Sequence, residues 1–371
     1  MAKPQLLPDV IPPGMEGVVK LYKTEVNGIT VRYADTADAG ESGEQLPLVL
    51  FLHGWPESWY SYRHQLKECK QNNFRGVAPD MRGYGSTSAP LNPEEYNVYA
   101  LAGDAIGLIN MLGYKKCMLV GHDHGAGLAW KLKLMYPDIF VVLCALSVPY
   151  SGRSKFPGLE SMRRTYGVET DKENAKFFYQ LHHQLPEAAS EYDANAEEAL
   201  LRLYAVDRGL KKRGILHGPE ITSKKMYIDG KARGWWWRMP KPAGLPPWIT
   251  QGEFDYYVSE YKRAGFHGGL QWYISTTRRD LDWTLTKALS GKKVKGPILF
   301  VAGGDDVVIH WAGGKDPAVK NLTTQCVETP ECVIIDNCGH WIQQEAKEEV
   351  NQALFPFLNK HRGKLIEGSK L

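Results

Sequence analysis

Apolar and polar positions along the chain follow two periods in turn. Residues 20–26 and 29–34 are β-rich runs joined by Asn27-Gly28, a dipeptide suited to a two-residue hairpin turn. A Gly/Glu/Ser-rich loop follows. Residues 47–52 then form an unbroken apolar run, the mark of a strand buried on both faces. Residues 76–79, 117–120 and 141–148 predict further strands, and helical patterns lie between them over 98–112 and 128–135, the second stopping at Pro137. Strands alternating with helices predict a mostly parallel sheet flanked by helices on both faces.

The alternation lapses after Pro149. From there to about residue 290 the chain is helical, aromatic and interrupted by Pro and Gly, with no clear strand. Strand patterns resume over 297–301 and 332–335, and a helical pattern covers 345–357. The pattern predicts an α/β core built from residues 1–149 and 290–371, with a mainly helical insertion over 150–289. Pro240, Pro242, Pro246 and Pro247 mark a rigid loop inside that insertion. No internal repeat is evident.

Composition narrows the function classes. The 371 residues carry 45 Lys and Arg against 42 Asp and Glu, a net charge of +3 that gives no electrostatic reason for a nucleic-acid partner. With 43% hydrophobic and 23% charged residues, the chain can bury a sizeable core, and disorder or a collagen-like repeat is excluded. The densest apolar stretch, residues 139–148, falls short of the roughly 18 residues of a membrane span. Residues 1–14 hold five prolines or glycines and no apolar stretch of a secretory signal. The six cysteines show no CxxC spacing and are expected to be reduced, mostly buried thiols. The chain ends in Ser369-Lys370-Leu371, the tripeptide of peroxisomal import. In a eukaryotic cell this predicts an import receptor as partner and a peroxisomal or cytoplasmic location. The 19 Tyr and 11 Trp include three consecutive tryptophans, Trp235, Trp236 and Trp237, suited to packing or to an apolar pocket.

Candidate chemistry concentrates at strand ends. Gly121-His122-Asp123-His124-Gly125 follows a buried strand and opens a helix, the setting of the G-x-S-x-G nucleophile elbow with Asp123 in place of Ser. No Ser or Cys in the chain has Gly two residues before and two after, so a serine or cysteine hydrolase of this type would lack its nucleophile. Asp123 could otherwise serve as a helix cap. His53-Gly54-Trp55 follows another buried strand, and the backbone N–H groups of Trp55 and His124 would form a two-donor oxyanion hole. Gly339-His340-Trp341 supplies a candidate base. Gly303-Gly304-Asp305-Asp306 supplies a carboxylate to orient it, and the residues alone leave Asp305 and Asp306 open. The chain order is nucleophile, acid, base.

Together with Asp80-Met81-Arg82-Gly83-Tyr84-Gly85-Ser86 and Gly268-Gly269-Leu270-Gln271-Trp272-Tyr273, these segments resemble the soluble epoxide hydrolases of the α/β-hydrolase fold, which carry a helical cap. The resemblance spans nearly the whole chain. It implies Asp123 as nucleophile, His340 as general base and Asp305 as relay acid, with Asp306 in reserve. It also implies a pair of cap tyrosines that protonate the ring oxygen. Tyr273 matches one of them, and the other position falls on His182, with Tyr179 one helical turn earlier as the alternative. Trp341 and Tyr179 are candidate pocket residues.

A carboxylate suits an epoxide because attack on an sp³ carbon gives an ester that activated water can cleave, whereas Ser would leave an inert ether. The implied reaction uses a small apolar epoxide and water, with no cofactor and no metal. Two alternatives use the same residues. Haloalkane dehalogenases, with the same nucleophile, hold the halide through an indole after the nucleophile and an Asn in the His-Gly turn, where this chain has His124 and Trp55. A catalytically weak small-molecule-binding member of the fold is the other.

Overall fold

A computed structural model of the chain describes residues 4–7, 11–37, 46–166, 177–205, 227–228, 231–232, 234–239, 241–278 and 281–365. The Gly/Glu/Ser-rich segment at 38–45, Pro240 and the Ser369-Lys370-Leu371 tail lie outside them.

The eight predicted strand runs, joined by one further short strand, pair into a nine-stranded sheet. Its strands are β1 (Gln5–Leu6), β2 (Lys20–Val26), β3 (Ile29–Asp35), β4 (Leu48–Leu52), β5 (Arg75–Pro79), β6 (Cys117–His122), β7 (Phe140–Leu146), β10 (Ile298–Gly303) and β11 (Glu331–Ile335), and β8 and β9 lie elsewhere. The order is β1-β2-β3-β5-β4-β6-β7-β10-β11. β2 and β3 form the expected hairpin, with Val26 opposite Ile29 and both turn residues, Asn27 and Gly28, at positive φ. The β1–β2, β2–β3 and β3–β5 pairs are antiparallel, and every pair from β5 to β11 is parallel. β4, β6 and β10 are buried along their whole length, which explains their unbroken apolar runs. The two-residue β1 carries no alternation, and sequence reading passes over it.

Helices Val98–Met111, His124–Met135 and Lys347–Lys360 fall near the predicted patterns. The chain divides into two compact units. One comprises Met1–Ser88, Tyr99–Gly152 and Gly291–Leu371 and contains the sheet; the other comprises Ala89–Val98 and Arg153–Ser290.

Sequence reading assigned residues 89–98 to the core. Two contacts tie them to the helical unit instead. The Val98 N–H donates to Asp282 at 2.8 Å. Leu91 and Pro93 line a cavity of about 420 Å³ with His183, Gln184 and Gln271. The helical unit also holds one strand pair that the composition hid, β8 (Tyr227–Ile228) with β9 (Lys231–Ala232). Its helix Gln251–Ala264 begins in a capping box of Thr250 and Glu253, a spacing visible in the sequence.

All six cysteines are free, and all but Cys332 are buried. Among the described residues no helix is long and apolar enough to cross a membrane.

Candidate active site

Asp123 sits where β6 meets the helix His124–Met135, at φ 51° and ψ −118°. A non-glycine residue held there costs of order 1–3 kcal/mol, and its surroundings enforce it. The flanking glycines are required by close approach: a Cβ on Gly125 would collide with the Leu52 carbonyl, and one on Gly121 with the Gly125 backbone. Gly54 meets the same constraint from the other side, since a Cβ there would strike the Asp123 side chain. The sharp turn places Asp123 at the start of the helix His124–Met135, where the positive end of a helix dipole favours a carboxylate.

The carboxylate is held at both oxygens. The Trp55 N–H donates to Oδ1 at 2.9 Å. His340 Nε2 lies 3.5 Å from Oδ2. Burial by itself would push the carboxyl up, but His124, the His340 contact and His122 outweigh it and hold Asp123 well below the carboxylate range. His124 opens the helix beside it.

The acid beside His340 is Asp306, not the Asp305 expected from resemblance. His340 Nδ1 lies 3.0 Å from both Asp306 oxygens. Asp306 is fully buried and caps the helix Val307–Trp311, its Oδ1 accepting from the Val308 N–H at 2.8 Å. Asp305 is half-buried, its backbone N–H donates to the Cys338 carbonyl at 2.9 Å, and its charge acts on Lys315. Burial pushes the His340 imidazole down, yet the Asp306 and Asp123 carboxylates override it and raise its pKa well above the usual histidine value. The His340 side chain keeps 15% of its surface exposed, so its ring edge is reachable. Trp341 is buried, its ring centroid 5.0 Å from that of His340.

Several residues that sequence reading missed fix this geometry. His122 is wholly buried; its Nε2 donates to the His340 carbonyl at 2.7 Å and its Nδ1 pairs with Glu57 Oε2 at 2.7 Å. Glu57 also accepts from the Gly54 N–H and from Gln343 Nε2, each at 2.7 Å. Burial would raise the Glu57 carboxyl, and His122, His53 and the Gly54 N–H pull it below its ordinary value. Ser147 Oγ donates to the His340 carbonyl at 2.9 Å. No local pattern marks these partners, because they meet across separations of 65 to 286 residues.

The helical unit carries the candidate proton donors. Tyr179 and Tyr273 lie with ring centroids 5.9 Å apart and planes at 83°. The Tyr179 hydroxyl accepts from Gln180 Nε2 at 2.9 Å. His182, the expected partner of Tyr273, is placed differently. It is fully buried, and its Nε2 pairs with Glu191 Oε2 at 2.8 Å. Glu191 also accepts from the Gly234 N–H at 2.9 Å, so His182 belongs to an internal brace. The residue packed on Tyr273 is His183, at 4.6 Å between centroids. Gly234 begins the tryptophan run, in which Trp236 is buried and Trp237 is 41% exposed. The former is core and the latter surface. Among the described residues no group of three or more His, Cys, Asp or Glu is arranged to hold a metal ion.

Residues 47–347 match the family model described as alpha/beta hydrolase fold. The chain is 36% identical over 335 residues to Epoxide hydrolase A of Mycobacterium tuberculosis, covering 90% of this chain and 95% of that protein. It is 34% identical over 316 residues to Epoxide hydrolase 3 of Siraitia grosvenorii, covering 85% and 92%. Among solved structures, Epoxide Hydrolase A from Mycobacterium thermoresistibile superimposes with a TM-score of 0.79 at 35% identity, over 92% of this chain and 98% of that one. An epoxide hydrolase from Vigna radiata does so with 0.75 at 32%, over 94% and 100%.

Proposed function

Because the chain belongs to the α/β-hydrolase family and, within it, to the epoxide hydrolases, we propose that it opens epoxides to vicinal diols through an ester on Asp123. The observation that carries this reading is the placement of the Asp123 carboxylate between the Trp55 N–H and His340 Nε2, with Asp306 behind the imidazole.

In the first step an Asp123 oxygen attacks the less hindered ring carbon. The ring C–O bond breaks, and its electron pair goes to the oxygen. The resulting alkoxide is strongly basic and takes a proton from a phenol, an effect typically worth about 10²–10⁴-fold. Tyr273 and Tyr179 fill this role, since both present a hydroxyl and stand as a pair, whereas the His182 Nε2 is engaged by Glu191.

In the second step His340 takes a proton from water, and the hydroxide attacks the ester carbonyl of Asp123. The Trp55 and His124 N–H groups stabilise the oxyanion, a contribution of about 3–4 kcal/mol per donor in comparable sites. Collapse breaks the ester C–O bond; the departing oxygen takes the remaining proton of the added hydroxide, which releases the diol and restores the carboxylate. The proton on His340 returns to the tyrosinate, so one epoxide and one water give one diol. The helical unit is the counterpart of the cap in this scheme.

A single turnover in ¹⁸O-water tests the mechanism. Label is expected in the Asp123 carboxylate; label in the diol with none in the protein refutes the ester. The tail Ser369-Lys370-Leu371 supports delivery to peroxisomes by an import receptor in a eukaryotic cell. A fluorescent fusion carrying it should become punctate, and deletion of Leu371 should return it to the cytosol.

A further inference from the structure

The peptide segment around His340 is gripped from both sides, and only part of that grip belongs to the chemistry described above. On one side the His340 carbonyl accepts from His122 and Ser147. On the other stands Glu345, at the end of the short helix Ile342–Glu345. Its Oε2 accepts from the Gly339 N–H at 2.8 Å, and its Oε1 accepts from the Trp341 N–H at 2.7 Å. The Glu345 backbone N–H donates back to the Trp341 carbonyl at 2.8 Å. One carboxylate therefore spans the residues immediately before and after His340.

We infer that Glu345 is the positioning residue for His340: its two oxygens fix the flanking N–H groups so that the imidazole meets Asp306 through Nδ1 and Asp123 through Nε2. Glu345 touches neither nitrogen of His340. It acts through the backbone: burial pushes the Glu345 carboxyl up, the Gly339 and Trp341 N–H groups pull against that shift, and each of its two oxygens accepts one of them. The local sequence is shaped around this grip. A Cβ on Gly339 would come within 2.9 and 3.0 Å of the two Glu345 oxygens, and a Cβ on Gly303 would strike the Cys338 and Gly339 carbonyls. The loop lies against the carboxylate on one face and against the end of β10 on the other. Rotation of the segment would carry Nδ1 off Asp306, and a misplacement of about 1 Å at a catalytic group costs on the order of 10²-fold in rate.

The kinetic part of this inference rests on the ester reading, and its test separates the two. In Glu345→Gln one oxygen still accepts and the amide NH₂ faces the other N–H; in Glu345→Ala both bonds are lost. Rapid acid quench with an aryl epoxide, read by protein mass, follows the ester in wild type, His340→Gln, Glu345→Gln and Glu345→Ala. The downfield proton NMR signal of His340 Nδ1–H is read on the resting proteins.

Ester formation is expected at the wild-type rate and ester hydrolysis slowed about 10²-fold in Glu345→Ala, with Glu345→Gln between. The Nδ1–H signal should shift or vanish in Glu345→Ala. An unshifted signal, ester hydrolysis at the wild-type rate, or equal loss in both steps overturns the positioning role. Absence of ester in His340→Gln would overturn the ester reading alone, and the NMR signal would still decide the role of Glu345.

Discussion

His340 Nδ1 lies 3.0 Å from both carboxylate oxygens of Asp306, while the backbone N–H of its neighbour Asp305 donates to the Cys338 carbonyl. The difference is set by the turn after β10. The Asp306 N–H donates to the Gly303 carbonyl, and its side chain caps the helix that follows. Anchored in this way, the Asp306 carboxylate faces the imidazole. Asp306→Asn should therefore slow ester hydrolysis by roughly 10³–10⁴-fold, as expected when a histidine is left in the wrong tautomer. Asp305→Asn should leave turnover near wild type. Steady-state rates of the two variants decide the matter, and the opposite ranking would return the role to Asp305.

The two tyrosines and His182 separate by step and by stability. Tyr273→Phe and Tyr179→Phe should each slow ester formation by about 10²-fold or more. His182→Phe should leave ester formation intact and lower stability by about 2 kcal/mol, because Glu191 loses a donor inside the brace. Rapid quench and urea unfolding read the two effects. A slow ester-forming step in His182→Phe would place the imidazole back among the proton donors.

Protonation of His340 should depend on the charge of Asp123. Asp306 and Asp123 raise the His340 pKa above the unfolded value of about 6.5, so its charged form favours the fold fully below that pH. The contribution is lost as pH rises through the folded-state pKa. Ester formation neutralises Asp123 and removes one of these causes, which makes His340 a base when water must be activated. In Asp123→Asn, histidine NMR should show His340 titrating at lower pH than in wild type. An unchanged midpoint would remove Asp123 from the coupling.

Glu57→Leu removes the acceptor of three donors: His122 Nδ1, Gln343 Nε2 and the Gly54 N–H. Breaking a buried pair of this kind costs about 3–5 kcal/mol. The Glu57 pKa is depressed by the fold, so its contribution is present above about pH 4.3 and is lost as pH falls through the folded-state value. Unfolding of wild type and variant should thus differ most near neutrality and converge in acid. Equal stability at neutral pH would show that the network is dispensable.

Gly54→Ala is predicted to act on the nucleophile directly. The new methyl group would occupy the space of the Asp123 side chain. Ester formation should fall by about 10²-fold even if the protein folds, since the displaced carboxylate no longer meets the Trp55 N–H. Circular dichroism with rapid quench distinguishes this from simple unfolding, and a wild-type rate of ester formation would refute it.

Local periodicity and motif spacing made much of the molecule legible. The β2–β3 hairpin follows from Asn27-Gly28 between two β-rich runs, and the fully buried β4, β6 and β10 follow from unbroken apolar sequence. The elbow at Asp123 was legible because a sharp strand-to-helix turn tolerates little but glycine at its flanks. β1 was not legible, since two residues carry no period. The β8–β9 pair was hidden for the same reason.

The sequence by itself determined the fold class, the Asp123 elbow and the His340 loop, because each depends on neighbours within a few positions. Tertiary structure decided which of Asp305 and Asp306 meets His340, because a turn's orientation depends on the strand and helix it joins. It decided that His182 pairs with Glu191 while Tyr179 stands against Tyr273, because a one-turn shift along a helix changes the facing side chain by far less than sequence patterns resolve. It also decided the partners of His340, whose carbonyl meets donors 218 and 193 residues away. Contacts between distant residues form only when the whole sheet is assembled.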